Sequence, residues 1–173
     1  MTIPDCHFHT PRLQVRPWRL RLAGLPDRDA FAGEILKLLT PAVTRTLPPG
    51  WQQIQTREQA ELWLRERDAE SAMLVVEHQG ALVGLLFLHG DDGDLHLGYL
   101  LGEMHWGQGL ASELISGLVA WAGQQGGIHT LVGGVETDNG ASIRVLEKAG
   151  FTRREDKAAP QGVIFLEHRL QGN

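Results

Sequence analysis

The alternation of apolar and polar residues predicts a chain of short strands interrupted by helices. Apolar runs of strand length, bounded by turn residues, cover residues 13–19, 72–77, 82–88, 95–101 and 130–135, and a final pair lies around 152 and 163–168. Gln79-Gly80 and Asp92-Gly93 are typical of tight hairpin turns. Residues 72–101 are therefore expected to form a three-stranded meander.

Helical periodicity marks most of the remaining segments. Residues 26–39 are mostly helical in pattern, and the prolines between 41 and 49 predict a loop after them. Thr56 and Gln59 predict a capping box for a second helix that ends near Asp68. An amphipathic helix follows Gly109, and a shorter one covers residues 141–148.

The order of these elements is one strand, two helices, three strands, a helix, a strand, a helix and two strands. It predicts an α/β fold with a mixed sheet in three layers, α-β-α, rather than a doubly wound arrangement. At 173 residues the chain is expected to form a single domain over residues 1–173.

The composition, with 42% hydrophobic and 21% charged residues, is typical of a globular protein. The net charge of -5 disfavours a nucleic-acid partner, because phosphate binding needs clustered lysine and arginine. No run approaches the roughly 18 apolar residues of a membrane span, and the N-terminus lacks a signal-peptide core, so the expected location is cytoplasmic. Cys6, His7 and His9 lack the second ligand pair of a zinc site, so no metal is expected.

The most informative segment is the junction at residues 101–111, where an apolar strand stops at Gly102 and a helix begins after Gly109. The first N–H groups of such a helix lack partners and its dipole makes this end positive, so the junction can bind phosphate. Gly109 is followed by Leu110 and Ala111 rather than by lysine and a hydroxyl residue, which argues against a P-loop. The glycine spacing and the lack of an early Rossmann strand argue against a dinucleotide fold.

Three segments carry a family resemblance. Gly109 and Ala111 fit the Gln/Arg-x-x-Gly-x-Gly/Ala acetyl-CoA loop of the GNAT acyltransferase superfamily, with Trp106 in place of its usual Gln or Arg. In this Trp-Gly-x-Gly-x-Ala form, and in residues 139–151 and 9–18, the chain resembles the RimJ/RimL-like branch. Members of that branch acetylate protein N-terminal amines and various small amines. The resemblance covers nearly the whole chain.

The resemblance implies a GNAT-like acyl-CoA N-acyltransferase fold, whose central mixed sheet splays between its fourth and fifth predicted strands. Acetyl-CoA is the implied co-substrate, with its pantetheine in the gap between those strands. The residues implied to bind it are Leu101, Gly102, Trp106, Gly107, Gln108, Gly109, Leu110, Ala111, Asn139 and Ser142.

The implied activity is transfer of an acetyl group to a primary amine by direct attack, the amine being a protein N-terminus or a small molecule. The acceptor site is expected over residues 25–71, where the resemblance is weakest. Trp51 and Trp63 lie there and are expected either to pack in the core or to enclose a cationic amine. A non-catalytic acyl-CoA sensor with the same fold is the alternative, and the oligomeric state, a homodimer included, stays open.

Attack by an amine requires a base for the ammonium proton and an acid for the departing thiolate. Leu146 replaces the tyrosine that many GNAT enzymes use as the acid, and the resemblance offers Ser142 instead. A purely structural role for Ser142, beside Asn139 as the helix cap, is the alternative. His96 is the candidate base, because imidazole titrates near neutrality, and Glu136 is the second candidate. Either residue could equally be a polar strand residue without a catalytic role.

Overall fold

The structure, a computed structural model, describes residues 3, 5–155 and 159–171. Within them the strands are β1 (Phe8–His9), β2 (Gln14–Pro17), β3 (Ala72–His78), β4 (Ala81–Asp91), β5 (Asp94–Leu101), β6 (Thr130–Glu136), β7 (Thr152–Arg154) and β8 (Val163–Arg169). The helices are α1 (Trp18–Leu22), α2 (Arg28–Leu38), α3 (Pro41–Thr44), α4 (Arg57–Glu70), α5 (Leu110–Ala122) and α6 (Gly140–Lys148). Short 3-10 turns lie at Pro49–Trp51 and Glu103–His105.

These strands form one sheet in the order β1-β2-β3-β4-β5-β6-β8-β7. Neighbouring strands are antiparallel, except that β5 and β6 run parallel. One face of the sheet packs against α5 and α6 in a core that includes Leu114 and Leu131. The other face packs against α1, α2, α3 and α4 in a core that includes Phe31 and Trp63. The mixed α/β, three-layer fold predicted from the sequence is confirmed.

Strands β5 and β6 separate part-way along their length. Asp94–Leu97 of β5 pair with Thr130–Gly133 of β6, and residues 98–101 and 134–136 beyond them have no mutual pairing. Over those residues β5 stays paired with β4, and β6 stays paired with β8. The sheet therefore opens into a gap between β5 and β6, which confirms the predicted splay between the fourth and fifth predicted strands.

The predicted first strand, residues 13–19, is wrong at its last two residues. Strand β2 ends at Pro17, and the chain turns directly into α1 at Trp18. Pro17 has no N–H for a sheet, and its φ of -53° suits the start of a helix. Trp18 stacks on Phe31 with ring centroids 5.5 Å apart, and its indole N–H donates to Asp68 at 2.7 Å. Burial of this indole overrides the strand pattern.

The loop predicted at the prolines contains a short helix, α3. The Thr40 hydroxyl caps it by accepting from the Val43 N–H, and Pro41 occupies the first turn, where a missing N–H loses no bond. Strand β1 pairs with Val15 and Gln14, and its two residues are too few to show a hydrophobic period.

The turns and helix starts around the meander agree with the sequence prediction. The capping box at Thr56 is present and starts α4. The hairpin turn at Asp92-Gly93 has φ values of 42° and 90°, and Gln79-Gly80 has 52° and 80°. Positive φ at both residues of a two-residue loop matches the twist of the strands that it joins. The meander therefore brings β5 to the centre of the sheet, with its carboxyl end at the gap.

Candidate active site

The gap exposes main-chain hydrogen-bonding groups on one edge of β5. The Gly102 N–H donates to the Val83 carbonyl at 2.9 Å, so these two residues form a hydrogen-bonded pair between β5 and β4. Since such pairs alternate with non-bonded pairs, Tyr99 and Leu101 direct their N–H and C=O groups toward the β6 side. Strand β6 does not pair with either of them. This edge can therefore pair with the amide groups of an extended ligand.

Two glycines with left-handed backbone shape the loop between β5 and α5. Gly107 and Gly109 have φ values of 69° and 77°. A Cβ on Gly107 would meet no atom within 4 Å, so this part of the loop faces open space. The Glu113 N–H donates to the Gly109 carbonyl at 3.1 Å, and the N–H groups of residues 110–112 have no intrahelical partner. Free N–H groups and the positive end of α5 therefore meet at this loop.

The side chains of Trp106 and Gln108 stabilise the loop through hydrogen bonds to nearby main-chain carbonyl groups. The Trp106 indole N–H donates to the Leu101 carbonyl at 2.8 Å, and the Gln108 amide donates to the Met104 carbonyl at 2.9 Å. Trp106 remains 49% exposed, so its ring forms part of the outer wall of the loop. Both main-chain groups of Gly102 are also bonded within the protein. The Leu101 carbonyl is therefore already bonded to Trp106, and the Leu101 N–H is the group that faces the gap.

Two hydroxyl groups meet beside the gap. The Tyr99 hydroxyl lies 3.3 Å from Ser142 Oγ, on the face of the sheet that carries α5 and α6. A phenol is a stronger acid than an alcohol, so Tyr99 donates and Ser142 accepts. Tyr99 is a functional candidate that the sequence alone did not indicate. The signal that could have found it is the alternation of β5, which places Tyr99 on the same face as Leu95 and Leu97.

The surroundings of Tyr99 keep its hydroxyl protonated. Burial raises the pKa of Tyr99, and the hydrogen bond to Ser142 acts in the opposite direction with a smaller effect. Leu146, which stands where the resemblance places a tyrosine, is 1% exposed and packs in the core. The two hydroxyl groups beside the gap are therefore those of Tyr99 on β5 and Ser142 in the first turn of α6.

Asn139 caps α6, which is one of the roles that the sequence suggests for it. Its Oδ1 accepts from the Ser142 N–H at 3.2 Å, and its Nδ2 donates to Thr46 Oγ1 at 3.3 Å. The capping role is confirmed. The Thr46 contact also joins the loop after α3 to the start of α6, so the predicted acceptor segment and the Ser142 turn hold one another in place.

His96 lies on the opposite face of the sheet from Tyr99, because side chains alternate along β5. It is the ladder partner of His89, with ring centroids 6.5 Å apart, and stands opposite Val132 of β6 just before the gap opens. A Cβ on Gly98, two residues further along, would meet no atom within 4 Å. Open space therefore adjoins the gap on the His96 face, and two reactants can approach it from opposite faces.

Glu136 ends β6 on the same face as His96, but further along. It lies four residues beyond Val132, the partner of His96, which corresponds to about 13 Å along a strand. The structure therefore does not bring Glu136 and His96 to one point. They are alternative candidates for the base, not a pair that shares one proton.

Aromatic residues cluster on the His96 face. Trp51 meets Trp63 and Phe87 edge to face, with ring centroids 5.3 Å and 4.9 Å apart. Trp63 is 1% exposed, and its place is in the core. Trp51 is half-buried, and the Arg67 guanidinium lies 4.9 Å from its ring centroid. One face of Trp51 is thus occupied by a cation of the protein itself.

Comparison with known protein families identifies the domain that carries the gap, the loop and the two hydroxyl groups. Residues 12–152 match the family model described as the acetyltransferase (GNAT) domain. The chain belongs to the GNAT acetyltransferase family. It is an acetyl-CoA-dependent N-acetyltransferase, and the resemblance to the GNAT superfamily is confirmed.

Individual GNAT proteins are similar over nearly the whole chain. The uncharacterized N-acetyltransferase p20 of Bacillus licheniformis is 28% identical over 159 residues, covering 87% of this chain and 88% of p20. A GNAT-family acetyltransferase from Bacillus anthracis has a TM-score of 0.75 at 17% identity, covering 95% of this chain and 98% of its own. RimL, the ribosomal L7/L12 alpha-N-protein acetyltransferase solved in complex with coenzyme A, has a TM-score of 0.72 at 20% identity and 99% coverage of both chains.

The geometry of this GNAT domain fits acetyl-CoA as co-substrate. The loop at Gly107 and Gly109 offers free N–H groups for phosphate, and the β5 edge offers main-chain groups for the pantetheine amides. Among the residues that the structure describes, no group of three or more His, Cys, Asp or Glu is placed to hold a metal ion. None of the helices in that part of the chain is long and apolar enough to span a bilayer.

Proposed function

We propose that this acetyltransferase transfers the acetyl group to a primary amine by direct attack, with a protein N-terminus or a small molecule as the acceptor. The observation that carries the proposal is the hydroxyl pair of Tyr99 and Ser142 on the strand that borders the gap. A proton donor at this place suits a reaction in which a thiolate departs. Binding of acyl-CoA alone would need only the loop and the strand edge.

Acetyl-CoA lies, in this proposal, along the loop and the β5 edge. Residues 107–112 receive the pyrophosphate, because their free N–H groups and the positive end of α5 face one site. The Leu101 N–H and the Tyr99 carbonyl receive the pantetheine amides. Asn139 fixes the first turn of α6, so Ser142 is held beside the same strand.

The acceptor amine approaches from the His96 face, where Gly98 leaves open space. His96, directly or through a water molecule, takes the proton that the nitrogen loses. As the C–N bond forms, the Tyr99 N–H, two residues before Leu101 on the same strand edge, stabilises the oxyanion on the acetyl carbon. The C–S bond then breaks, the Ser142 hydroxyl donates a hydrogen bond to the departing thiolate, and water supplies the proton with which CoA leaves as the thiol. The bond from Tyr99 fixes the Ser142 oxygen and leaves its hydrogen free for the sulfur.

His96 is the preferred base because it stands two residues before Gly98, on the open side of the gap. Glu136 is the second candidate, at the outer end of β6. RimL is, by its name, an alpha-N-protein acetyltransferase of ribosomal L7/L12, which makes a peptide α-amine the first acceptor to test. A cytoplasmic location and the lack of a nucleic-acid partner are further predictions.

Release of the CoA thiol from acetyl-CoA tests the proposal, with a panel of peptide N-termini, polyamines, amino acids and aminoglycoside-type amines as acceptors. Cys6, the single cysteine, does not disturb a thiol assay, because it is 3% exposed and burial raises its pKa to about 12. Turnover with an amine of the panel supports the proposal. Tight CoA binding with no turnover across the panel would favour the acyl-CoA sensor instead.

A further inference from the structure

The segment before β2 lies across the first turn of α5. The Thr10 hydroxyl donates to Glu113 Oε1 at 2.6 Å, and the Arg12 N–H donates to the same oxygen at 2.7 Å. The Arg12 Nε donates to Glu113 Oε2, also at 2.6 Å. Three donors from a three-residue stretch therefore converge on one carboxylate in the first turn of α5.

Arg12 also reaches the loop that precedes this helix. Its Nη1 donates to the Gln108 carbonyl at 2.9 Å. Its Nη2 lies 3.5 Å from the position that a Cβ would take on Gly109. The Arg12 side chain is 42% exposed, so solvent or a ligand can reach it. The guanidinium thus borders the two residues, Gln108 and Gly109, that form the end of the loop.

The charge of Glu113 makes this contact matter for an anionic ligand. Burial raises the pKa of Glu113, but the bonds from Thr10 and Arg12 outweigh it and the pKa is lowered, so the carboxylate stays ionised. An ionised carboxylate within the first turn of α5 repels a phosphate at the same helix end. The Arg12 guanidinium offsets that charge, and its Nη2 adds a cationic donor beside Gly109.

We propose that Arg12 is a phosphate-binding residue of the acetyl-CoA site, where its charge also offsets the charge of Glu113. Nη2 donates to a phosphate oxygen of CoA, while Nε and Nη1 stay bonded to Glu113 and Gln108. This inference rests on the proposed placement of the CoA phosphates at residues 107–112. It makes the segment around Arg12, far from the loop in sequence, a part of the cofactor site.

Two variants that remove the same ion pair separate this role from a purely structural one. Arg12→Met keeps the side-chain stem and removes the cation, so we expect the Kd for CoA, measured by calorimetry, to rise at least fivefold. Glu113→Gln removes the repelling carboxylate and leaves Arg12 charged, so CoA is expected to bind as tightly as in wild type or more tightly. Equal weakening of CoA binding in both variants would overturn the inference, since it would mean that the ion pair only braces the fold.

S-acetylpantetheine, which lacks the phosphates that Arg12 would contact, provides the second readout. We expect Arg12→Met to lower kcat/KM for acetyl-CoA at least fivefold and to leave kcat/KM for S-acetylpantetheine unchanged. Equal losses with both donors would overturn the inference. If Arg12→Met fails to fold, Arg12→Lys is the variant to measure, since it keeps the positive charge but lacks the guanidinium. Its CoA affinity should fall less than twofold if the charge of residue 12 binds the phosphate. A fivefold loss would instead mean that the guanidinium only braces the fold, and would overturn the inference.

Failure of the wider proposal looks different from failure of this inference. If Gly109→Val binds CoA as wild type does while Arg12→Met does not, the phosphates lie near Arg12 but away from the loop. If Gly109→Val loses CoA while Arg12→Met keeps it, the loop placement stands and the role of Arg12 is wrong.

Discussion

Tyr99 and Ser142 are 43 residues apart in sequence, and their hydroxyl oxygens lie 3.3 Å apart. The contact links β5, which borders the gap, to the first turn of α6. Because Tyr99 is the better donor, its hydrogen occupies one lone pair of Ser142 and the hydrogen of Ser142 stays available. The Asn139 cap fixes the main chain of this turn, and the bond from Tyr99 restricts the rotamers of the Ser142 side chain.

Ser142→Ala is expected to lower kcat by roughly 10- to 100-fold and to leave CoA affinity nearly intact, because the hydroxyl acts on charge that develops in the transition state. The substitution does not disturb the N-terminal cap of α6. Asn139 accepts from the main-chain N–H of residue 142, not from its hydroxyl, so the helix cap is retained. Steady-state kinetics and CoA calorimetry check the result, and a loss of CoA binding with unchanged kcat would mean a ligand-holding role.

Tyr99→Phe removes one hydroxyl and keeps the ring, and its effect on kcat is expected to depend on Ser142. With Ser142 present, loss of the orienting hydrogen bond should lower kcat by about three- to tenfold. In the Ser142→Ala background the same substitution should change little, since Tyr99 acts through Ser142. Additive losses in the double variant would contradict the link between the two hydroxyl groups.

The sequence could predict the fold because period and turn chemistry agree along most of the chain. It failed at Trp18, where the apolar pattern continues through a helix start that only the contacts with Phe31 and Asp68 explain. It named Ser142 through a resemblance but could not pair it with Tyr99, because alternation along a strand gives the face of a side chain and not its partner. A contact across 43 residues leaves no local signal.

His96→Gln tests the base with an acceptor of high pKa, which is an ammonium ion at neutral pH. We expect kcat/KM to fall by roughly 100-fold at neutral pH and the acidic limb of its pH profile to vanish or shift, since a base of imidazole type is then missing. His89→Gln is the matched control on the same face, because His89 contacts the Glu70 carbonyl and lies further from the gap. It should leave the profile unchanged.

An acceptor of low pKa separates the enzyme's titration from that of the amine. Such an amine is already neutral in the assay, so His96→Gln should matter much less for it. Full activity of His96→Gln with a high-pKa amine would contradict the assignment. Glu136→Gln would then be the variant to measure, since Glu136 is the other candidate on that face.

Gly109→Val should raise the Kd for CoA at least tenfold, which corresponds to about 1.4 kcal/mol. The φ of Gly109 is 77°, where a β-branched residue is strained, and its side chain would stand beside the N–H groups that face the ligand. Gly126→Ala, beyond the other end of α5, is the control, because a Cβ there meets no atom within 4 Å. Calorimetry with CoA decides, and equal affinities for Gly109→Val and wild type would refute the phosphate-loop assignment.

The other region with a clear energetic prediction is the buried carboxylate of Glu77 on β3. It is 3% exposed, and it accepts from Arg16 at 2.7 Å and from Arg21 at 2.5 Å. Glu77→Gln leaves both arginines without their shared anion, so the free energy of unfolding should fall by about 3 kcal/mol. Glu61→Gln, which removes an exposed pair with Arg65, is the control and should cost under about 0.5 kcal/mol.

The contribution of Glu77 should also depend on pH in a defined direction. Burial raises the pKa of Glu77, but the bonds from Arg16 and Arg21 outweigh it, so the pKa in the folded state is lowered. A lowered pKa means that the stabilisation is complete above the unfolded-state pKa of about 4.3 and is lost as pH falls through the folded-state pKa. In urea unfolding, the difference between wild type and Glu77→Gln should therefore stay constant from neutral pH to about pH 5 and shrink below it. A difference that grows on acidification would show that the arginines do not hold this carboxylate ionised.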